Sequence, residues 1–146
     1  MYNGKSYSLS KNAKSVSYSD NTRVGWGRVT FTGTGDFTGT DFIEFTIIPK
    51  KVTGVMVAAG KKRITVRWKK ASAAQSVDEY HIRYRVKGTT TWKIKKVPAS
   101  KSSKVIKGLK KGKKYQVQVC AYHDHFRTDC FGLWSAMKTT RKKVFA

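Results

Sequence analysis

The chain has 146 residues, of which 31 are Lys or Arg and eight are Asp or Glu, so its formal net charge is +23. It has no apolar run of the roughly 18–20 residues that a membrane-spanning helix needs, and two cysteines are too few for a disulfide-rich scaffold. A hydrophobic content of 39% is enough for a packed core, which argues against wholesale disorder.

The charge is unevenly distributed along the chain. Residues 1–49 contain five basic and four acidic residues, whereas residues 50–146 contain 26 basic and four acidic ones. This asymmetry predicts two units with different surfaces, and the second unit is expected to attract polyanions at low salt. Pro49 lacks a backbone donor and tends to end a strand, so we place a linker near 48–51. The predicted domains are 1–49 and 50–143, followed by a C-terminal tail at 144–146.

The N-terminal unit is predicted to be a small group of β-strands. Apolar and polar residues alternate at 16–18, 29–31 and 43–47, as in strands with one buried face and one wet face. Turn residues separate these runs at 19–21 and 33–36.

The second unit shows the same alternation over a longer stretch, and no stretch has a helical stripe. We predict strands at 52–58, 62–69, 79–87, 91–97, 103–107, 113–122 and 130–140. Short strands at this spacing indicate an all-β sandwich or barrel. The predicted inward side chains are Val55, Val57, Ile64, Val66, Trp68, Tyr80, Ile82, Tyr84, Ile106, Leu109, Tyr115, Val117, Val119 and Ala121.

Several separated motifs of residues 51–143 resemble a fibronectin type III domain. They are Trp68 late in the second strand, the pattern Tyr80-x-Ile82-x-Tyr84-Arg85, the Leu109-to-Tyr115 spacing and Gly132-Leu133-Trp134-Ser135. The Leu-to-Tyr spacing is similar to the family's tyrosine corner, in which the Tyr hydroxyl bonds to upstream backbone. The resemblance implies an Ig-like β-sandwich and a non-enzymatic binding or spacer module. The loop 123–128 lacks the Arg-Gly-Asp tripeptide of the family's integrin-binding members, so no adhesion site is carried over.

The N-terminal unit resembles part of an Ig-like (MBG-like) repeat of large bacterial surface proteins. The residues that carry this resemblance are Tyr2-Asn3-Gly4-Lys5, Val16-Ser17-Tyr18-Ser19-Asp20-Asn21, the Gly-rich stretch 33–40 and the closing run 42–47. It implies an extracellular or cell-wall location in a Gram-positive bacterium. The alternative is an irregular N-terminal β-extension.

Two cysteines and two histidines lie close together in the sequence. If a hairpin turns around His125, Cys120 lies opposite Cys130, and a cross-strand disulfide becomes possible. Two free thiols are an alternative. A third is a zinc site formed by Cys120, His123, His125 and Cys130, although Cys120 is out of phase with the inward residues on either side of it.

The basic residues also have two interpretations. Strand alternation places many of them on outer sheet faces, where they form either a solvated surface that blocks edge pairing or a contact surface for polyanions. The candidate contacts are Arg67, Lys69, Arg83, Arg85, Lys93 and Lys95. The partner class would be teichoic acid, an acidic glycan or DNA bound without sequence specificity, because no recognition helix, zinc finger or RNA-binding aromatic signature is present.

The sequence contains no phosphate-cradling Gly loop, no Gly-x-Ser-x-Gly elbow and no His-Glu-x-x-His, and it predicts neither a cofactor nor catalysis. Two functions follow from the residues and the resemblances. One is a spacer, presentation or adhesion module of a bacterial surface protein. The other is a polyanion-binding anchor, which includes an accessory role beside a secreted hydrolase.

Overall fold

The computed structural model describes residues 13–35, 38–126 and 128–146, and the regular secondary structure of this part of the chain is almost entirely β-strand. The strands are β1 Ala13–Ser19, β2 Gly25–Gly33, β3 Thr40–Ile47, β4 Met56–Gly60, β5 Arg63–Arg67, β6 Glu79–Val86, β7 Lys93–Pro98, β8 Ser103–Lys107, β9 Tyr115–His125, β10 Thr128–Phe131 and β11 Lys138–Thr139. A single 3-10 turn occupies Ala73–Gln75. The chain divides into two compact units after Ile47.

The N-terminal unit is an antiparallel sheet in the order β1-β2-β3. Arg28 and Glu44 lie directly opposite each other on β2 and β3, and their side chains form an ion pair of 2.7 Å. The ring of Phe45 lies over Gly27, where an added Cβ would come within 2.6 Å of it. The segment 2–5, which carries part of the resemblance to a bacterial repeat, lies outside the described residues, as do Asp36 and Phe37.

The C-terminal unit is a sandwich of two antiparallel sheets. One sheet has the order β4-β5-β8, and the other has the order β10-β9-β6-β7, with β11 also paired to β9. Eight consecutive residues of β6 pair with β9, from Glu79 opposite Tyr122 to Val86 opposite Tyr115. The predicted all-β sandwich is confirmed.

The core lies between the two sheets and follows the predicted alternation. Thirteen of the fourteen predicted inward residues belong to one buried cluster, and Val57 packs against it half-buried. Val52, Val97 and Val144 also belong to this cluster, although the sequence analysis did not include them.

The predicted bounds of the first and the last strand of this unit are wrong. The first strand of the unit begins at Met56 rather than at 52, and the predicted strand 130–140 is interrupted between β10 and β11. The amide of Gly132 still donates to the carbonyl of Ala121. The next backbone hydrogen bond to β9 comes from Ser135 and goes to Val119, where regular pairing would place the preceding residue of the chain. The Ser135 hydroxyl accepts a hydrogen bond of 3.0 Å from the amide of Val119, so a side chain replaces a backbone acceptor there. This extra residue interrupts the strand.

The predicted linker and tail are parts of the sandwich. Pro49 is buried, and its carbonyl oxygen would lie 2.7 Å from a Cβ added at Gly132. At the other terminus Val144 is buried in the core and exchanges backbone hydrogen bonds with Gly112 and Lys113. The prediction that 144–146 is a tail is therefore wrong, because an apolar side chain follows three cations and packs inward.

A tyrosine corner closes the turn before β9. The amide of Lys110 donates a hydrogen bond of 2.9 Å to the hydroxyl of Tyr115, whose ring is buried beside Leu109. At the other end of the core, Trp68 packs against Tyr80 with ring centroids 5.3 Å apart. The Tyr80 hydroxyl accepts a hydrogen bond of 2.7 Å from the amide of Ala71.

Replacing Tyr115 by Phe should lower the free energy of unfolding of this unit by about 1–3 kcal/mol, because the Lys110 amide loses its acceptor. Tyr84→Phe is the matched control: its ring is equally buried, but its hydroxyl has no hydrogen-bond partner in the described chain. We expect this control to change stability by less than about 0.5 kcal/mol. Urea unfolding followed by tryptophan fluorescence measures both, and equal losses would contradict the role assigned to the corner.

Candidate anion-binding site

All four carboxylates of the C-terminal unit lie at one end of the sandwich. Asp78 and Glu79 are at the start of β6, and the antiparallel ladder brings them next to the end of β9. Asp78 accepts hydrogen bonds from His123 Nδ1 at 2.8 Å and from the amide of Asp124 at 2.9 Å. Asp129 lies opposite Asp124 and accepts a hydrogen bond of 2.6 Å from Tyr122. We call this the acidic end.

The opposite end of the same unit carries thirteen Lys and Arg residues and no Asp or Glu. They come from the β4–β5 turn, the β6–β7 connection, the β8–β9 connection and the segment after β11. We call this group the basic end: Lys61, Lys62, Arg63, Lys87, Lys93, Lys107, Lys110, Lys111, Lys113, Lys114, Arg141, Lys142 and Lys143.

Backbone hydrogen bonds hold these segments side by side. The amide of Leu109 donates to the carbonyl of Lys62 at 3.0 Å, and the amide of Lys87 donates to the carbonyl of Lys114 at 2.8 Å. The amide of Lys62 in turn donates to Phe145 at 2.8 Å. The backbone that bears these cations is therefore fixed by hydrogen bonds. Their side chains are exposed to solvent, except that of Lys114, which is half-buried.

The six predicted polyanion contacts do not form one surface. Arg67 and Lys69 are at the end of β5, away from the basic end. Lys93 and Lys95 lie directly opposite Tyr84 and Ile82, so they share the inner face rather than the outer face of Arg83. The prediction that these two lysines share the outer face with Arg83 and Arg85 is therefore wrong, because the alternation in β7 is shifted by one residue from the predicted one. They stay exposed because β7 is the edge strand of its sheet.

Arg83 and Arg85 lie on the outer face in a stack of cations and aromatic rings. The guanidinium carbon of Arg83 is 4.6 Å from the ring centroid of Trp92 and 4.3 Å from that of Trp134. That of Arg85 is 4.3 Å from the Trp92 centroid. Both arginines also donate to glutamines of β9: Arg83 to Gln118 Oε1 at 2.7 and 3.0 Å, and Arg85 to Gln116 Oε1 at 2.9 Å. Burial lowers the pKa of Arg83.

These contacts give the stacked arginines an internal role. Cation–π contacts and charge-assisted hydrogen bonds fix both guanidinium groups against their own sheet. A polymer that bound them would compete with these contacts, whereas the lysines of the basic end face solvent. The alternation in the sequence identified Arg83 and Arg85 as outward, but it did not show what covers them.

The predicted pairing of the two cysteines is wrong. Cys130 lies opposite His123 on β10 and β9, whereas Cys120 lies opposite His81 on β6. Because neighbouring residues of a strand point to opposite faces, Cys120 and Cys130 project to opposite sides of the sheet. No disulfide joins them. The hairpin turns one to two residues later than the sequence suggested.

Cys120 and His81 are buried even though they lie on the outer face. The rings of Tyr122 and Phe131 lie 5.2 and 5.3 Å from the imidazole of His81 and 4.9 Å from each other, which excludes solvent. His81 is only 6% exposed, and its Nε2 lies 3.1 Å from Glu79 Oε2. Burial raises the pKa of the Cys120 thiol to about 11.

The zinc alternative finds no support in the geometry. Among the described residues, no group of three or more His, Cys, Asp or Glu side chains is placed to hold a metal ion. The opposite projection of Cys120 and Cys130 explains why the four candidate ligands do not converge. Within the same residues, no helix is both long and apolar enough to span a bilayer.

The raised pKa predicts an unreactive thiol at Cys120. A pKa of about 11 instead of 9.0 lowers the thiolate fraction at pH 8 by about 100-fold. Iodoacetamide should therefore label Cys120 in the folded protein at least about 100 times more slowly than in urea, since burial also restricts access. Peptide mass spectrometry at timed intervals measures both rates. Fast labelling without denaturant would contradict the buried position.

For the same reason the stability of the unit should fall with pH. The folded-state pKa of Cys120 lies above its unfolded value, so the folded state holds a proton that the unfolded state loses. Stability is then lost as the pH rises from about 9 to about 11. Comparison of wild type with Cys120→Ala, whose slope over this window should be smaller, isolates the thiol from the tyrosines and lysines.

Comparisons with known proteins agree with this architecture. No curated protein sequence matches the chain. A crystal structure of the chicken CNTN1 FN1–FN3 domains superposes with a TM-score of 0.60 at 20% identity, over 87% of this chain and 45% of that one, so the chain spans less than half of that structure. A structure described as a myokine gives a TM-score of 0.54 at 18% identity, over 66% of this chain and 98% of the other. The solution structure of an fn3 domain of human contactin 1 gives 0.52 at 19% identity, over 64% and 76%. Residues 49–129 match the sequence model of the fibronectin type III domain, and the chain therefore belongs to the fibronectin type III family.

Proposed function

We propose that this chain is a non-enzymatic module of an extracellular or cell-surface protein, and that its fibronectin type III unit adheres to an anionic polymer through the basic end. Fibronectin type III domains are generally non-catalytic modules that serve spacing or adhesion in extracellular and surface proteins. The observation that carries the proposal is the separation of charge: thirteen Lys and Arg side chains lie at one end, all of them exposed except half-buried Lys114, and all four Asp and Glu side chains of the unit lie at the other.

Electrostatics favours a polymeric anion over a small one at this surface. Lysines scattered over several loops each contribute little, but a chain of regularly spaced negative charges contacts many of them and releases its counterions. The Debye length of about 10 Å at 0.1 M salt means that neighbouring cations of the basic end act together. An acidic glycan or a teichoic acid has this chemistry. The repeat-like residues of the N-terminal unit support a bacterial cell wall as the setting.

A spacer role is the second candidate, and it is supported by the path of the chain. The C-terminal unit is entered at Pro49, which packs beside Gly132 and Ala121, and it ends at Val144, which pairs with Lys113. These two positions lie at opposite ends of the sandwich. A module that the chain crosses lengthwise extends the distance between whatever precedes it and whatever follows it.

Neutralising lysines of the basic end should weaken polymer binding more than the same change elsewhere. The test variant replaces Lys110, Lys111 and Lys113 by Gln. The matched control replaces Lys69, Lys101 and Lys104, which are also exposed but lie towards the other end. Binding to heparin and to poly(glycerol phosphate) is measured across a salt series. The slope of log Kd against log salt should fall by about one for each lost anion contact in the test variant.

The two functions make different predictions for the unmodified chain. A pure spacer would bind neither polymer at 150 mM salt, and the two triple variants would then be indistinguishable from wild type. Equal losses in the test and control variants would mean that overall charge, rather than the basic end, drives binding.

Duplex DNA should bind weakly and without sequence preference, because the described residues form strands and one short 3-10 turn and include no α-helix that could read base edges in the major groove. Two 20-base-pair duplexes of unrelated sequence should give the same Kd. If the contact reaches six or more phosphates, the affinity should fall by about 1000-fold or more between 50 and 200 mM salt. Fluorescence anisotropy measures this, and a sequence preference that persists at physiological salt would contradict it.

A further inference from the structure

A cavity of about 240 Å³ opens within the basic end. It lies between the β6–β7 and β8–β9 connections, next to the tyrosine corner, and Tyr84, Thr91, Lys93, Leu109, Lys110 and Tyr115 are among its lining residues. No Asp or Glu lines it. Since liquid water takes about 30 Å³ per molecule, the volume corresponds to several waters, enough for one tetrahedral oxyanion with room for the group that carries it.

The hydroxyl of Tyr84 is a polar group that the fold does not use. Tyr84 is 6% exposed, and its ring belongs to the core. The hydroxyl makes no hydrogen bond to any described residue, whereas the hydroxyls of Tyr80, Tyr115 and Tyr122 each have a partner. Among the described residues, the fully enclosed side-chain polar atom without a partner is Trp68 Nε1, so the Tyr84 hydroxyl is not sealed off and is open to a partner outside the protein. Because Tyr84 lines the cavity, that is where such a partner can lie.

Two lysines line the same cavity as this hydroxyl. Lys93 lies directly opposite Tyr84 in the β6–β7 register, so both side chains project to the same face. Lys110 approaches from the β8–β9 connection, where its own amide is fixed to Tyr115. Burial and the neighbouring Tyr115 raise the pKa of Tyr84. Tyr84 therefore stays a neutral phenol at physiological pH and donates its proton to an acceptor.

We infer that this cavity is a binding site for a phosphate or sulfate group, with the Tyr84 hydroxyl as a neutral donor and Lys93 and Lys110 as the cations. The inference deepens the proposed function and rests on it, since the group would be carried on the anionic polymer that the basic end attracts. The lysines supply attraction at a distance. The hydroxyl, on a ring that the core holds in place, supplies a directed hydrogen bond to an anion oxygen, which the charge attraction alone does not give.

The test uses inorganic phosphate and inorganic sulfate as separate probes on the intact chain, with chloride replaced so that ionic strength stays constant. Amide resonances of Thr91, Gly108 and Lys110 in ¹H–¹⁵N spectra should shift saturably with each oxyanion. Tyr84→Phe should weaken binding by about 10-fold or more, the usual effect of losing a hydrogen bond to a charged group. The matched control Tyr122→Phe removes a hydroxyl at the acidic end and should leave the affinity unchanged.

Lys93→Gln should also weaken phosphate binding, whereas Lys101→Gln, the same change away from the cavity, should not. Shifts that track ionic strength alone, or equal affinity in Tyr84→Phe and wild type, would overturn the inference. Preference for one of the two anions identifies the polymer as phosphate- or sulfate-bearing, and either preference supports the site. Since polymer binding is measured on the lysine triple variants, a failure of adhesion and a failure of the cavity site are separate results.

Discussion

The eight-residue antiparallel ladder between β6 and β9 is the constraint on which the rest of the C-terminal unit depends. It directs Ile82, Tyr84, Val117 and Val119 into the core, where burial of apolar surface supplies most of the stability. The same register places Arg83 opposite Gln118 and Arg85 opposite Gln116 on the outer face, where the cations stack with tryptophan rings. The ladder also brings the start of β6 beside the end of β9, so it determines which connections lie at the same end of the sandwich.

The placement of the connections at the two ends of the sandwich separates its positive charges from its negative ones. In an antiparallel sandwich every second connection emerges at the same end, and here three such connections and the segment after β11 are rich in lysine. Thirteen like charges within reach of one another raise the free energy of the folded state through repulsion, which an anionic partner relieves. The carboxylates cannot relieve it, because the strands separate the two ends by roughly 20–25 Å, at about 3.3 Å per residue, and salt screens the interaction over that distance.

The errors of the sequence analysis share one physical origin, which is register. A shift of one or two residues in the β9–β10 hairpin moves Cys130 from the position opposite Cys120 to the position opposite His123, on the other face. A difference of one residue in β7 moves Lys93 from the outer face to the face of Tyr84. Alternation within one strand shows which residues share a face, but it does not show which residue of the next strand lies opposite, because turn geometry sets that.

The amino-acid sequence by itself determined the all-β class and most of the core, because these depend on alternation within a strand. The tyrosine corner was implied by the resemblance of the Leu109-to-Tyr115 spacing to that of the fibronectin type III family. Only the tertiary structure decided which face each cysteine occupies, that His81 is buried under Tyr122 and Phe131, that Val144 belongs to the core, and that scattered lysines form one basic end with a cavity inside it. These features depend on side chains distant in sequence, and their positions follow from how strands pair and sheets pack.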